Sequence, residues 1–115
     1  METKSIKVIL VDNDTDELFF MEKGFRSSHL YTIIGQCSGW HELLKLLGTI
    51  TELPDLIVSD LNMPGKNGNE IAAAIAEHPL YNSIKVVVLS ISAGNKEIER
   101  PSGPDGKSFF LPKPS

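Results

Sequence analysis

The chain has 115 residues, 41% of them hydrophobic and 23% charged, which predicts one soluble globular domain spanning residues 1–115. Its net charge of −4 argues against a nucleic-acid partner, because proteins that bind the phosphate backbone usually carry a basic face. No apolar run approaches the roughly 20 residues needed to cross a bilayer, so we expect a cytoplasmic protein without a membrane partner.

Apolar runs of strand length alternate along the chain with segments of helical periodicity. In chain order the sequence predicts strand 6–11, helix 14–26, strand 31–37, helix 40–47, strand 56–59, helix 69–77 and strands 85–90 and 109–111. The β-branched, nearly continuous first run is typical of a strand buried on both faces of a parallel sheet. The alternation indicates βαβ units, and therefore an α/β fold with a parallel sheet between two helical layers.

Two features near the end of the chain depart from this alternation. Residues 100–107 (RPSGPDGK) are rich in proline and glycine, so a helix that begins near Asn95 must end at about Arg100. The chain ends at Ser115, directly after the last predicted strand. We therefore expect the final helix of the fold to be missing, through shortening of the chain or because a partner covers that edge.

Four polar residues stand at the ends of predicted strands: Asp12, Asp60, Ser90 and Lys113. Taken singly, each has an ordinary structural interpretation, such as a helix N-cap for Asp12 or a solvated charge for Lys113. In an open parallel sheet, however, the carboxyl ends of the strands lie at one edge, which is where ligands bind. Their occurrence at four strand ends favours a shared site.

The chemistry of these four side chains is coherent. Two neighbouring carboxylates repel each other unless a cation offsets their charge, and a hard divalent ion such as Mg²⁺ does this with oxygen ligands. Such an ion can also offset the charge of phosphate oxygens. A carboxylate can act as the nucleophile that forms an acyl phosphate, while a lysine and a hydroxyl bind the remaining phosphoryl oxygens.

Four segments carry a family resemblance. Residues 8–14 (VILVDND), 54–68 (PDLIVSDLNMPGKNG), 85–92 (KVVVLSIS) and 109–114 (FFLPKP) resemble the receiver domains of response regulators in two-component signalling. The resemblance covers nearly the whole chain, and the block around Asp60 is its most specific part. It implies a doubly wound, flavodoxin-like five-stranded parallel sheet with strand order 2-1-3-4-5.

The resemblance also implies roles for individual residues. Asp60 would be the phosphoacceptor, and Asp12 and Asp60 would bind Mg²⁺ together with the backbone carbonyl of Asn62. Ser90 would be the switch hydroxyl that bonds the phosphoryl group, and Lys113 would pair with its oxygens. The phosphodonor would be a sensor histidine kinase or a histidine phosphotransfer protein, and a downstream protein target would read the new state.

Two further expectations follow from the same resemblance. Phe110 occupies the position of the switch aromatic residue, although an ordinary core phenylalanine is an equally good interpretation. The peptide bond between Lys113 and Pro114 is expected to be cis, as is usual in the family.

One residue departs from the family pattern at the metal site. Receiver domains normally have two consecutive acids after the first strand, and here the pair is Asp12 and Asn13. An amide is a neutral, weaker ligand, so Asn13 puts the Mg²⁺ affinity in doubt, with Asp14 as a partial substitute. The alternative function is therefore a pseudo-receiver that signals through protein contacts without phosphorylation.

A further alternative is enzymatic. The Asp12-x-Asp14 pattern after an apolar strand is also similar to the nucleophile loop of haloacid-dehalogenase-like phosphatases, with Asp12 as nucleophile and Asp14 as acid. Those enzymes need an acid after a later strand, where this chain has a Ser-Ile-Ser segment. We therefore expect a signalling module and no enzyme.

Overall fold

A computed structural model describes residues 5–90 and 108–112, with Ser90 and the last segment described by backbone alone. The elements are β1 (Ile6–Val11), α1 (Thr15–Arg26), β2 (Tyr31–Cys37), α2 (Trp40–Thr49), β3 (Leu56–Asp60), α3 (Gly68–Glu77), β4 (Lys85–Ser90) and β5 (Ser108–Pro112). Every one of them was predicted, with bounds that differ by at most two residues. The helix predicted near residues 95–100 lies outside the described residues.

The five strands form one sheet in the order β2-β1-β3-β4-β5, and every neighbouring pair is parallel. This confirms the predicted flavodoxin-like topology. The strand order reverses direction at β1, because β2 lies on one side of β1 and β3 lies on the other. In such sheets the crevice for ligands opens at the carboxyl ends of the strands next to this switch point.

Helices cover both faces of the sheet. On β1, Val8 and Leu10 pack in one hydrophobic cluster with Met21 of α1, whereas Ile9 and Val11 pack in the other. Successive side chains of a strand point to opposite faces, so the two clusters lie on opposite sides of β1. The second cluster contains the buried side chains of α2 and α3, which are Leu43, Leu47, Ile71, Ala72 and Ile75. Across residues 5–90, no helix combines the length and apolar character needed to span a membrane.

The start of α3 packs directly against the end of β3. Gly68, the first residue of α3, donates its N–H to the carbonyl of Leu61 at 3.0 Å. A Cβ atom at Gly68 would lie 2.6 Å from the carbonyl oxygen of Asp60 and 2.7 Å from a methyl group of Val88. Only glycine therefore allows α3 to approach the strand end that carries Asp60.

Replacing Gly68 with alanine should lower the free energy of unfolding by about 1–3 kcal/mol, because the new methyl group would overlap the backbone carbonyl of Asp60. Urea denaturation measures this loss. Gly24→Ala is the matched control, since its Cβ would meet nothing within 4 Å inside α1. That variant should gain up to about 1 kcal/mol from helix propensity. Equal effects of the two substitutions would contradict the close approach at Gly68.

Candidate functional site

The register of β1 and β3 places Asp12 and Asp60 beside each other. Val11, the last residue of β1, pairs with Ser59 of β3, so Asp12 and Asp60 are the next residues on adjacent strands. Both side chains are shielded from solvent, with exposed fractions of 0% and 6%. Burial of a carboxylate is unfavourable unless hydrogen bonds or a counter-ion offset the lost hydration. Two buried acids on adjacent strand ends therefore mark this edge as a candidate site.

The position of Asp12 is determined by its backbone and its side chain. Its N–H donates to the carbonyl of Cys37 at the end of β2, at 2.9 Å. Its carboxylate Oδ1 accepts the N–H of Asp14, also at 2.9 Å. The carboxylate is thus held in a tight turn between β1 and α1, at the carboxyl edge of the sheet.

Asp14 is the N-cap of α1. Its carboxylate accepts the N–H groups of Asp16 at 2.9 Å and Glu17 at 3.4 Å. The interpretation of Asp12 as the cap of this helix is therefore wrong. A helix capped by Asp12 would begin at Asn13, whereas α1 begins two residues later, at Thr15. The carboxylate of Asp14 is engaged in capping α1. Its contacts therefore give no support to the hypothesis that Asp14 substitutes for the acid that Asn13 replaces.

Three carboxylates converge at this edge. One oxygen each from Asp12, Glu17 and Asp60 lies within 4.8 Å of the other two. The predicted proximity of Asp12 and Asp60 is thus present in the structure. Glu17, in the first turn of α1 and half-buried, was not predicted as a member. The sequence feature that could have identified Glu17 is its position three residues after Asp14, in the helix that follows β1.

The remaining predicted residues are placed as follows. Asn13 and Asn62 are both exposed. Ser90 ends β4 and pairs with Pro112, which puts its backbone at the same edge of the sheet as Asp60. Phe110 lies in β5, but its side chain is not described. Lys113 and its peptide bond to Pro114 lie outside the described residues.

The donor set of the cluster suits a hard divalent cation. Carboxylate oxygens are the ligands that Mg²⁺ and Ca²⁺ prefer, and Mg²⁺ retains several water ligands at about 2.1 Å. Oxygens within 4.8 Å of one another are close enough to share one such ion, directly or through a bound water. The residues present therefore fit the metal that the family resemblance implies.

Comparison with known proteins assigns the family. The sequence matches the response regulator receiver domain over residues 8–115. The chain belongs to this family. Receiver domains are modules of two-component signalling, which agrees with the prediction made from the strand-end residues and the motif around Asp60.

Individual relatives are also response regulators. The receiver is 36% identical over 67 residues to the nitrate/nitrite response regulator NarL of Escherichia coli K12, a match covering 58% of this chain and 29% of NarL. It is 42% identical over 45 residues to response regulator Rcp1 of Synechocystis, covering 39% of this chain and 31% of Rcp1. The matches thus span less than a third of these curated relatives.

Solved structures share the fold. The phosphorylated cyanobacterial phytochrome response regulator RcpA superposes with a TM-score of 0.66 and 28% identity, over 77% of this chain and 67% of that one. The receiver domain of NarL from Mycobacterium tuberculosis superposes with a TM-score of 0.70 and 19% identity, over 95% and 85% of the two chains. At that identity the second comparison supports the fold alone.

Asp14→Ala should lower the free energy of unfolding by about 1 kcal/mol, because two N–H groups of the first turn lose their acceptor. Asp14→Asn keeps an acceptor oxygen and should stay close to the unaltered protein in a urea titration. If the asparagine variant were as unstable as the alanine variant, the charge of Asp14 and not its capping would be responsible.

Cys37 should be inert in the folded receiver. Burial of the thiol raises its pKa to about 11, with a smaller contribution from the nearby charge of Glu42. Since only the thiolate is nucleophilic, the folded protein at pH 8 should react with a thiol reagent far more slowly than the urea-unfolded protein. The rate of thiol labelling measures this difference. Comparable rates in the two states would show that the thiol is accessible.

Proposed function

We propose that this receiver domain accepts a phosphoryl group on the carboxylate of Asp60 and thereby switches a protein-binding surface. The observation that carries the proposal is the convergence of Asp12, Glu17 and Asp60 at the carboxyl edge of the sheet. In a chain of the receiver family, this is the edge at which phosphorylation chemistry is expected.

The proposed step is an in-line displacement at phosphorus. An Asp60 carboxylate oxygen attacks the phosphoryl group of a phosphohistidine, the new O–P bond forms as the N–P bond breaks, and the imidazole nitrogen leaves with its electron pair and takes up a proton. The donor would be a sensor histidine kinase or a histidine phosphotransfer protein. The product on the receiver is an acyl phosphate.

Positioning and charge compensation are the receiver's contributions to this step. Asp12 is held by the carbonyl of Cys37 and the N–H of Asp14, so it can orient a cation without moving. A bound Mg²⁺ would offset the negative charge of the carboxylates and of the phosphoryl oxygens. Asn62, through its backbone carbonyl, and exposed Asn13 remain proposed secondary contributors to the cation site.

The response to phosphorylation would involve Ser90, at the end of β4, and Lys113, which follows β5 in the chain. A phosphoryl group adds about −1.5 to −2 charges at neutral pH, which would attract the Ser90 hydroxyl and the Lys113 ammonium group. Attraction of these two groups to the phosphoryl group would then shift an existing equilibrium at the neighbouring surface. A downstream protein or an onward phosphotransfer partner would read this surface.

The phosphatase alternative requires Asp14 to act as an acid on a substrate. Its carboxylate instead accepts two N–H groups at the start of α1, which argues against that role. Such an enzyme would also turn over phosphate monoesters, whereas the proposed receiver is modified in a single phosphotransfer event.

Incubation of the protein with acetyl phosphate and Mg²⁺ should add the mass of one phosphoryl group, measured on the intact protein. Asp60→Asn should abolish the adduct because the amide is no longer a competent nucleophile. Asp55→Asn is the matched control, since Asp55 precedes β3 at the opposite edge of the sheet and should leave the adduct unchanged. Absence of an adduct at saturating Mg²⁺ would favour the pseudo-receiver alternative.

A further inference from the structure

We propose that Glu17 supplies the carboxylate that this receiver lacks at Asn13, so that its cation site consists of Asp12, Glu17 and Asp60. The inference rests on the proposed function because it concerns the same site. It assigns to the first turn of α1 a ligand that the family pattern places in the preceding loop.

The burial of the two candidate side chains distinguishes them. Asn13 follows Asp12 in the chain, yet it is exposed and carries no charge. Glu17 is half-buried, and one of its carboxylate oxygens lies within 4.8 Å of oxygens of both Asp12 and Asp60. The third acid of the site is therefore contributed from one turn inside the helix.

A comparison of two helix starts explains why Glu17 is directed to this cluster. A glutamate three residues after an N-cap usually accepts the N–H of the cap residue. In α3, Glu70 does this and accepts the N–H of Asn67 at 2.8 Å. In α1, the N–H of Asp14 donates to Asp12 instead, at 2.9 Å. At this helix start, Asp12 is thus the acceptor of the cap N–H, and the Glu17 carboxylate lies with the two buried acids.

The charge of the cluster supports the same assignment. Asp12, Glu17 and Asp60 together bring three carboxylates to one point, as many as a receiver obtains from two loop acids and its phosphoacceptor. A neutral amide at Asn13 leaves only two without Glu17. Three neighbouring carboxylates repel one another strongly in a partly buried setting, and a divalent cation offsets this repulsion.

Glu17→Gln should weaken Mg²⁺ binding by at least about 10-fold, because even residues that only orient metal ligands have effects of that size. Isothermal titration calorimetry with MgCl₂ gives the dissociation constant, and the rise of the unfolding midpoint with Mg²⁺ concentration checks it independently. Asp16→Asn is the matched control. It removes one negative charge from the same helical turn, outside the cluster, and so reproduces the effect on the helix dipole.

Restoring an acid at the neighbouring position should rescue the loss. The double variant Asn13→Asp with Glu17→Gln should recover most of the Mg²⁺ affinity if Glu17 serves as the missing loop acid. Equal Mg²⁺ affinity of Glu17→Gln and Asp16→Asn would overturn the inference. So would a folded double variant that binds Mg²⁺ no better than Glu17→Gln. Circular dichroism verifies folding of each variant.

The phosphorylation assay separates this inference from the proposed function. If the unaltered protein forms the Asp60 adduct but Glu17→Gln has the same dependence on Mg²⁺ concentration, the function stands and the role of Glu17 is refuted. If Mg²⁺ binding depends on Glu17 but no adduct forms, the cation site stands and the phosphoacceptor function is refuted.

Discussion

The parallel hydrogen-bonded register between β1 and β3 is the constraint on which the site depends. Pairing of Val11 with Ser59 makes Asp12 and Asp60 neighbours at one edge of the sheet, although 48 positions separate them in the chain (60 − 12). A shift of one residue would reverse the faces to which the strand side chains point, so that residues of each cluster would have to pack in the other, where their shapes do not match. Core packing on both faces thus holds the two carboxylates together.

A second constraint is the electrostatics of that edge. Burial of Asp12 and Asp60 concentrates negative charge where hydration is weak, which is unfavourable unless hydrogen bonds or a counter-ion offset the lost hydration. A site for a divalent cation requires several carboxylates within reach of one ion, and neighbouring elements of the fold can each contribute some of them. The start of α1 lies beside the end of β1, so a helix residue can replace a loop residue. Under the proposed assignment, Glu17 would take the place of the acid that is absent at Asn13.

Much of the fold could be predicted from local pattern. The β-branched run of β1 and the run of β4 (Lys85–Ser90) gave strand bounds identical to those observed, because buried parallel strands are apolar throughout. Helix ends were less accurate: α2 extends to Thr49, since Gly48 is tolerated within its last turn. The interpretation of Asp12 as a helix cap, which was the alternative to its place in a shared site, was wrong because a local motif does not specify which of two nearby aspartates adopts the cap conformation.

The sequence by itself determined the order of strands and helices, which follows from periodicity, and indicated the family through the resemblance of four segments to receiver domains. It also predicted that Asp12 and Asp60 meet, because both stand at the carboxyl ends of strands. Only the tertiary structure decided that Glu17 joins them. Its direction depends on where α1 begins and on the donation of the Asp14 N–H to Asp12, which in turn requires Asp12 to be held against the end of β2. Such contacts between elements distant in the chain leave no periodic trace in the sequence.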